Sequence, residues 1–225
     1  MHPPRRLVLK SLVLALGLAS GMSMAAPAAP DGAALAKFFR AVQLDDAKTV
    51  TAMVGSVVNA NQPNPIGGDT GLVMALREDA MDVVKVFLAH PGTNLEAKAV
   101  NGNTPLMMAA YKRNRPAVEA LLAKGAKVNQ PGWTALHYAA AAGDDEIVRL
   151  LLARGAKVDA VSPPSSGGYT PMMMAAREGH DDTALVLIAH GADRLRKNTE
   201  GLTAVQLAER AGKTRVADTL KRGGR

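Results

Sequence analysis

The sequence predicts an all-α solenoid, a stack of helix-turn-helix units, and three observations predict it. The triplet Gly-x-Thr recurs as Gly68-Asp-Thr70, Gly102-Asn-Thr104, Gly132-Trp-Thr134, Gly168-Tyr-Thr170 and Gly201-Leu-Thr203, so the threonines stand 34, 30, 36 and 33 residues apart. A near-constant period of this size marks a repeat architecture. Each triplet is followed by a short Ala-rich stretch, a break and a second apolar stretch, and four of these end in Gly92, Gly125, Gly155 and Gly191. The chain is also 48% hydrophobic but only 3% aromatic. Ala, Leu, Val and Met therefore carry the core, which suits closely packed helices better than a β-sandwich.

Taken from the N-terminus, residues 1–25 hold Arg5, Arg6 and Lys10, no acid, and the apolar run Leu12 to Ala19 before Ser23-Met24-Ala25-Ala26-Pro27. That is the layout of a secretory signal peptide, cut after Ala25 because Pro27 disfavours a cut one residue later. The apolar run is short of the ~20 residues that span a bilayer. The order Arg5-Arg6-Leu7-Val8-Leu9-Lys10 also resembles a twin-arginine export signal, so both export routes stay open. Removing the segment takes three of the 27 basic residues and none of the 20 acids, and the formal charge falls from +7 to +4. Without cysteine the chain has no disulfide scaffold, thiol nucleophile or Cys-ligated zinc.

A linker is expected over residues 26–32. Residues 33–66 form an N-terminal helical cap, read from Leu35, Phe38, Phe39 and Val42, then Val50, Met53, Val54 and Val57. Four repeats follow over 67–100, 101–130, 131–166 and 167–199, with a C-terminal capping repeat over 200–225 that ends in basic residues. Within a repeat, Thr104 or Thr170 can cap a helix through its hydroxyl, and Pro105 or Pro171 suits the first helical position. Leu106, Leu136 and Met172 point inward, and the Ala pairs at 109–110, 139–140 and 175–176 permit close helix approach. Val118, Leu121 and Leu122 recur at helical spacing, as do Ile147, Val148, Leu151 and Leu152. One such unit cannot bury its own apolar face, so stability lies between neighbours.

The stretches Thr104-Pro-Leu-Met-Met-Ala-Ala110, Thr134-Ala-Leu-His-Tyr-Ala-Ala140 and Thr170-Pro-Met-Met-Met-Ala-Ala176, with Gly179-His180, Gly155-Ala-Lys-Val-Asp159 and Gly191-Ala-Asp193, resemble the ankyrin repeat. The resemblance covers residues 33–222. It implies an ankyrin-repeat α-solenoid with short β-finger loops between units. Three residues separate Val128 from Gly132 and eight separate Val158 from Gly167, which predicts one clipped finger beside one extended finger. The first full repeat departs most from the pattern, with Gly71 for Pro, Leu76 for the second Ala and Asp79 for Gly.

The resemblance also supplies candidate sites. It places the residue before the first Ala of each repeat (Met74, Met108, Tyr138, Met174 and Leu207) toward the concave groove. Two readings fit this row, an adaptable apolar binding ridge and simple packing on the adjacent repeat. It places Asp69, Asn103, Trp133, Tyr169 and Leu202, between Gly and Thr, at solvent-facing finger positions. Trp133 and Tyr169 then read as partner anchors, or as rings covering the neighbouring finger. Tyr111 and Lys112 border the same surface.

His137 and His180 occupy structural positions of the repeat, the former as a ring that hydrogen-bonds loop backbone. His90 and His190 fall at second-helix ends. No pair of histidines has metal-ligand spacing, so no metal is assigned. Asp144-Asp145-Glu146 and Asp181-Asp182 read as acids at helix starts rather than a catalytic pair. No phosphate loop, Gly-x-Ser-x-Gly or His-Glu-x-x-His occurs. The basic clusters at Lys112 to Arg115, Arg194 to Lys197 and Arg210 to Arg225 lack aromatic interleaving, and nucleic acid is not expected as partner.

The expected function is a non-catalytic protein-binding module of a bacterial envelope, monomeric, periplasmic, without cofactor, metal or membrane span, whose partner protein is unidentified. The alternatives are a cytoplasmic regulator with an uncleaved N-terminus, and a small-molecule or enzymatic groove.

Overall fold

The computed structural model describes residues 30–222. The segment read as a signal peptide, and most of the linker, lie outside the described residues. Twelve α-helices form six pairs among the described residues: α1 (Gly32–Gln43) with α2 (Ala47–Met53), α3 (Gly71–Glu78) with α4 (Met81–Ala89), α5 (Pro105–Tyr111) with α6 (Arg115–Ala123), α7 (Ala135–Ala142) with α8 (Asp145–Ala153), α9 (Pro171–Glu178) with α10 (Asp181–Ala189), and α11 (Ala204–Arg210) with α12 (Thr214–Arg222).

The start signals work as the sequence implies. Thr104 accepts from the Met107 amide at 3.4 Å and Thr170 from the Met173 amide at 3.3 Å, with Pro105 and Pro171 at the first helical position. Second helices start on Asn114 and Asp144, whose side chains accept from Ala117 and Ile147 at 2.9 Å. Odd-numbered helices pack on one another in one row and even-numbered helices in a second. From α5 to α11 the first row is much the more closely packed, because Ala109, Ala110, Ala139, Ala140, Ala175 and Ala176 lie fully buried there. Leu106, Leu121, Leu136, Ile147, Leu151 and Met172 fill the continuous core.

The wider second row is laced by polar side chains of the loops after each second helix. Asn61 accepts from the Asn94 amide at 2.7 Å, Glu96 from Lys127 at 2.8 Å, Asn129 from Lys157 at 2.9 Å and Asp159 from Asp193 at 3.1 Å.

Departures from the repeat pattern have local causes. Gly71 stands where other repeats have Pro105, Ala135, Pro171 and Ala204 because the Phe87 ring lies against it, and even a Cβ there would overlap that ring. Phe87 in turn meets Phe38 edge-on, with centroids 6.2 Å apart, which joins the first repeat to the cap. Asp79 takes the left-handed position (φ 59°) that Gly143 and Gly179 hold later. An Asp tolerates this region better than most residues, and its carboxylate accepts from Asn114 Nδ2 at 2.6 Å. The cap corrects one expectation: α2 ends at Met53 and Val57 is exposed, since Gly55 turns the chain at φ 79°.

The finger loops carry no β ladder. Among the described residues the bridges are isolated, Val54 with Val58 and Pro63 with Thr70. The loops are too short, and too interrupted by left-handed glycines such as Gly102, Gly132 and Gly168, to pair as strands. The clipped and extended fingers compensate each other. Gln130 Nε2 closes the clipped one on the Trp133 carbonyl at 3.0 Å. In the extended one, a 3₁₀ turn over Pro164–Ser166 sits between Ser162 and Tyr169, which bond each other through Ser162 N–H to Tyr169 O and Tyr169 N–H to Ser162 Oγ. Pro163 leans onto Gly132, where a Cβ would stand 3.1 Å from the proline ring.

Candidate functional site

A pocket of about 390 Å³ opens where α5, α7 and α9 meet the clipped finger, lined by Tyr111, Trp133, His137, Tyr138, Ala141, Met174, Arg177 and Glu178. Tyr138 and Ala141 lie one turn apart on α7, as do Met174 and Arg177 on α9, so one face of each helix contributes.

Three rings build the wall. Tyr111 and Tyr138 stand at 90° with centroids 6.1 Å apart, and Trp133 and Tyr138 at 60° with centroids 6.1 Å apart. The Tyr138 hydroxyl donates to the Asn103 side-chain carbonyl. Burial pushes the Tyr138 hydroxyl above its usual pKa, with the Asn103 bond opposing. Behind the rings, His137 is fully buried, and burial lowers its pKa to about 4 against the opposing bonds to the Tyr169 and Ala160 backbone. Its Nδ1 faces the Thr134 amide at 3.2 Å and the Thr134 hydroxyl at 2.9 Å, so Nδ1 accepts and Nε2 carries the proton donated to the Tyr169 carbonyl at 3.0 Å. On the far side, the Arg177 guanidinium lies over the Tyr169 ring, 5.2 Å from its centroid, and donates through Nε and Nη2 to Glu178 Oε1 at 3.0 and 2.9 Å.

Of the candidates read from sequence, Tyr111, Trp133, Tyr138 and Met174 are brought together here. Of the first-helix row, Met74, Met108, Met174 and Leu207 are buried and Tyr138 is half-exposed, which fits the packing reading of that row. They form no exposed ridge, because they pack inside the closely stacked first-helix row. Tyr169 is 9% exposed, pinned between Gly167 and Arg177, so it packs rather than projects. Asp69 and Asn103 are likewise buried, on Arg77 and Tyr138. Asp69 and Tyr169 find that partner within their own repeat, and Asn103 finds it in the next.

The partner within the repeat is the residue eight places after the finger position, a series that sequence reading passed over. Counting from Asp69, Asn103, Trp133, Tyr169 and Leu202, it is Arg77, Tyr111, Ala141, Arg177 and Arg210. Arg77 pairs with Asp69 and Arg177 stacks on Tyr169. Beside Trp133 the repeat has only Ala141, and the pocket is the space that results.

The acids at helix starts are cross-repeat partners. Asp144 meets Arg113, Glu146 meets Arg115, Asp145 accepts from Thr183 and Asp181 pairs with Arg215. His180 bonds the Ala141 carbonyl through Nε2 at 3.0 Å. Among the described residues, no cluster of His, Asp and Glu could hold a metal, and no helix is long and apolar enough to cross a membrane.

The chain matches the sequence profile of ankyrin repeats (three copies) over residues 38–131, 72–162 and 127–198. It is similar to the B-cell lymphoma 3 protein homolog of Mus musculus, 32% identical over 162 residues, covering 69% of this chain and 36% of that protein. It is 31% identical over 210 residues to SH3 and multiple ankyrin repeat domains protein 2 of Homo sapiens, covering 76% and 11%. With the neurogenic locus notch homolog protein 1 of Xenopus tropicalis it shares 35% identity over 110 residues, covering 48% and 4%. The matched regions thus span between 4% and 36% of the length of these relatives. Repeats of this kind generally mediate protein–protein interaction and are generally non-catalytic. The profile covers residues 38 to 198 without a break, and the chain belongs to the ankyrin repeat family.

Proposed function

We propose that this chain is a non-catalytic protein-binding module that receives its partner on the face carrying Tyr111, Trp133 and Tyr138. The observation that carries the reading is the corner of three inclined rings around an open pocket. Large rings that are packed but not covered concentrate binding energy. Tyr111 is 56% exposed, while Met74, Met108, Met174 and Leu207 on the first helices are buried, so affinity concentrates in this part of the stack. The module works as a monomer in the bacterial envelope. The acid-free N-terminus with Arg5, Arg6 and Lys10 and the small residues up to Ala25 support that location.

The test is affinity capture from an envelope extract with the wild type and with Trp133→Ala/Tyr111→Ala. A specific partner recovered only by the wild type is expected; equal recovery by both proteins removes this face from the account. Intact mass of the protein from its host checks the location. A chain lacking about 25 residues is expected after signal cleavage, and a full-length chain confined to the cytosol overturns the envelope reading.

A further inference from the structure

We propose that the pocket beside Trp133 takes a lysine or arginine side chain from the partner, which rests on the protein-binding reading above. The repeat itself carries the argument. At the position eight residues after the finger residue, three of five repeats supply an arginine, Arg77, Arg177 and Arg210. Where the finger residue is aromatic, as at Tyr169, that arginine lies on the ring face, 5.2 Å from the centroid. Trp133 is the one other aromatic finger residue, and indole is the strongest of the aromatic faces for a cation. Its repeat has Ala141 in place of the arginine, and the space opens to solvent as the pocket. A partner's cation can therefore occupy the position that the following repeat fills from within by Arg177.

The surroundings fit that occupant. Tyr138 and Tyr111 present two further rings at steep angles. His137 is buried and neutral and adds no repulsion near pH 7. Glu178, a half-exposed carboxylate on the far wall, spends one oxygen, Oε1, on Arg177. Arg177 also lines the pocket, and its charge is engaged by the Tyr169 ring and by Glu178.

Trp133 is the only tryptophan of the chain, so its emission reports on the pocket directly. The full protein is titrated with acetylated, amidated tripeptides Ala-Arg-Ala, Ala-Gln-Ala and Ala-Glu-Ala. The arginine peptide is expected to change the emission saturably and to bind at least 10-fold tighter than the other two. Ala141→Arg, which introduces the residue type that three of the five repeats carry here, is expected to weaken it at least 10-fold with the helical circular dichroism unchanged. Glu178→Gln is expected to weaken it several-fold, and Arg177→Met to leave it unchanged or tighten it. The proposal is overturned if the glutamine or glutamate peptide binds as well, if none of the three binds, or if Ala141→Arg binds the arginine peptide like the wild type. Tighter binding of the glutamate peptide with loss in Arg177→Met would make the site one for an anion. If the peptides fail while partner capture still depends on Trp133, the binding face stands and only the cationic anchor falls.

Discussion

The His137 imidazole donates from Nε2 to the carbonyl of Tyr169 at 3.0 Å, so the first helix of one repeat holds the finger of the next. The same carbonyl accepts from the Ser162 amide at 2.9 Å, which closes the extended finger. One neutral ring thus fixes both its own helix start and the neighbouring loop.

That ring makes stability depend on pH. His137 is held neutral in the fold, with a pKa of about 4, and titrates near 6.5 once unfolded. Its contribution is complete above pH 6.5 and is lost as pH falls toward 4, because the unfolded chain takes the proton first. At 1.36 kcal/mol per unit, the loss across that window is on the order of 3 kcal/mol. Urea unfolding at pH 7.5 and 4.5 should show most of it. His137→Gln, which copies the Gln206 oxygen that accepts from the Thr203 amide in the last repeat, should flatten the slope. An unchanged slope in that variant would assign the effect to other groups.

Restoring the repeat pattern at position 71 should destabilise the chain. Gly71→Ala pushes a Cβ into the Phe87 ring, and overpacking of this kind costs roughly 1–3 kcal/mol. Phe87→Leu in the same chain should recover part of that loss, so a double-mutant cycle should give a coupling well away from zero.

Two helix-ending glycines separate backbone strain from crowding. Gly125 is left-handed at φ 92° with open space around it, and Gly125→Ala should cost about 1–2 kcal/mol. Gly143 is left-handed at φ 68° and also packs against the His180 ring, which bonds the Ala141 carbonyl. Gly143→Ala should lower the melting temperature by clearly more than Gly125→Ala, and equal shifts would rule out the crowding.

Binding and folding should come apart at Trp133 and Leu136. Leu136 is 1% exposed in the middle of the stack, and Leu136→Ala should cost about 2–5 kcal/mol. Trp133 is half-buried at the pocket mouth, so Trp133→Ala should cost less while abolishing partner capture. A melting temperature as low as that of Leu136→Ala would mark Trp133 as chiefly structural.

Much of this was legible in the sequence, since the Gly-x-Thr period recurs five times and the Ala pairs three times as local signals. Thr104, Pro105, His137 and the Gly68-to-Gly201 series announce helix starts and turns without knowledge of distant contacts. What was not legible depends on the neighbour. Met108 and Met174 read equally well as ridge or core, and only the closeness of α5, α7 and α9 decides it. Tyr169 and Asn103 stand at a nominally exposed position, yet Arg177 and Tyr138 draw them inward. The pocket was missed because its signal is an Ala at 141, a small residue at one place in a series, which attracts attention only when compared with Arg77, Arg177 and Arg210.

The unequal packing of the two helix rows gives the molecule a direction of compliance. The Ala-lined row resists compression and acts as the stiff side of a leaf spring. The other row can open, and what limits its travel is the series of side chains Asn61, Glu96, Asn129 and Asp159, each tethering the next unit by its backbone amide. Substituting these half-buried polar residues, which add little to the core, should soften the molecule along its long axis before it loses its fold.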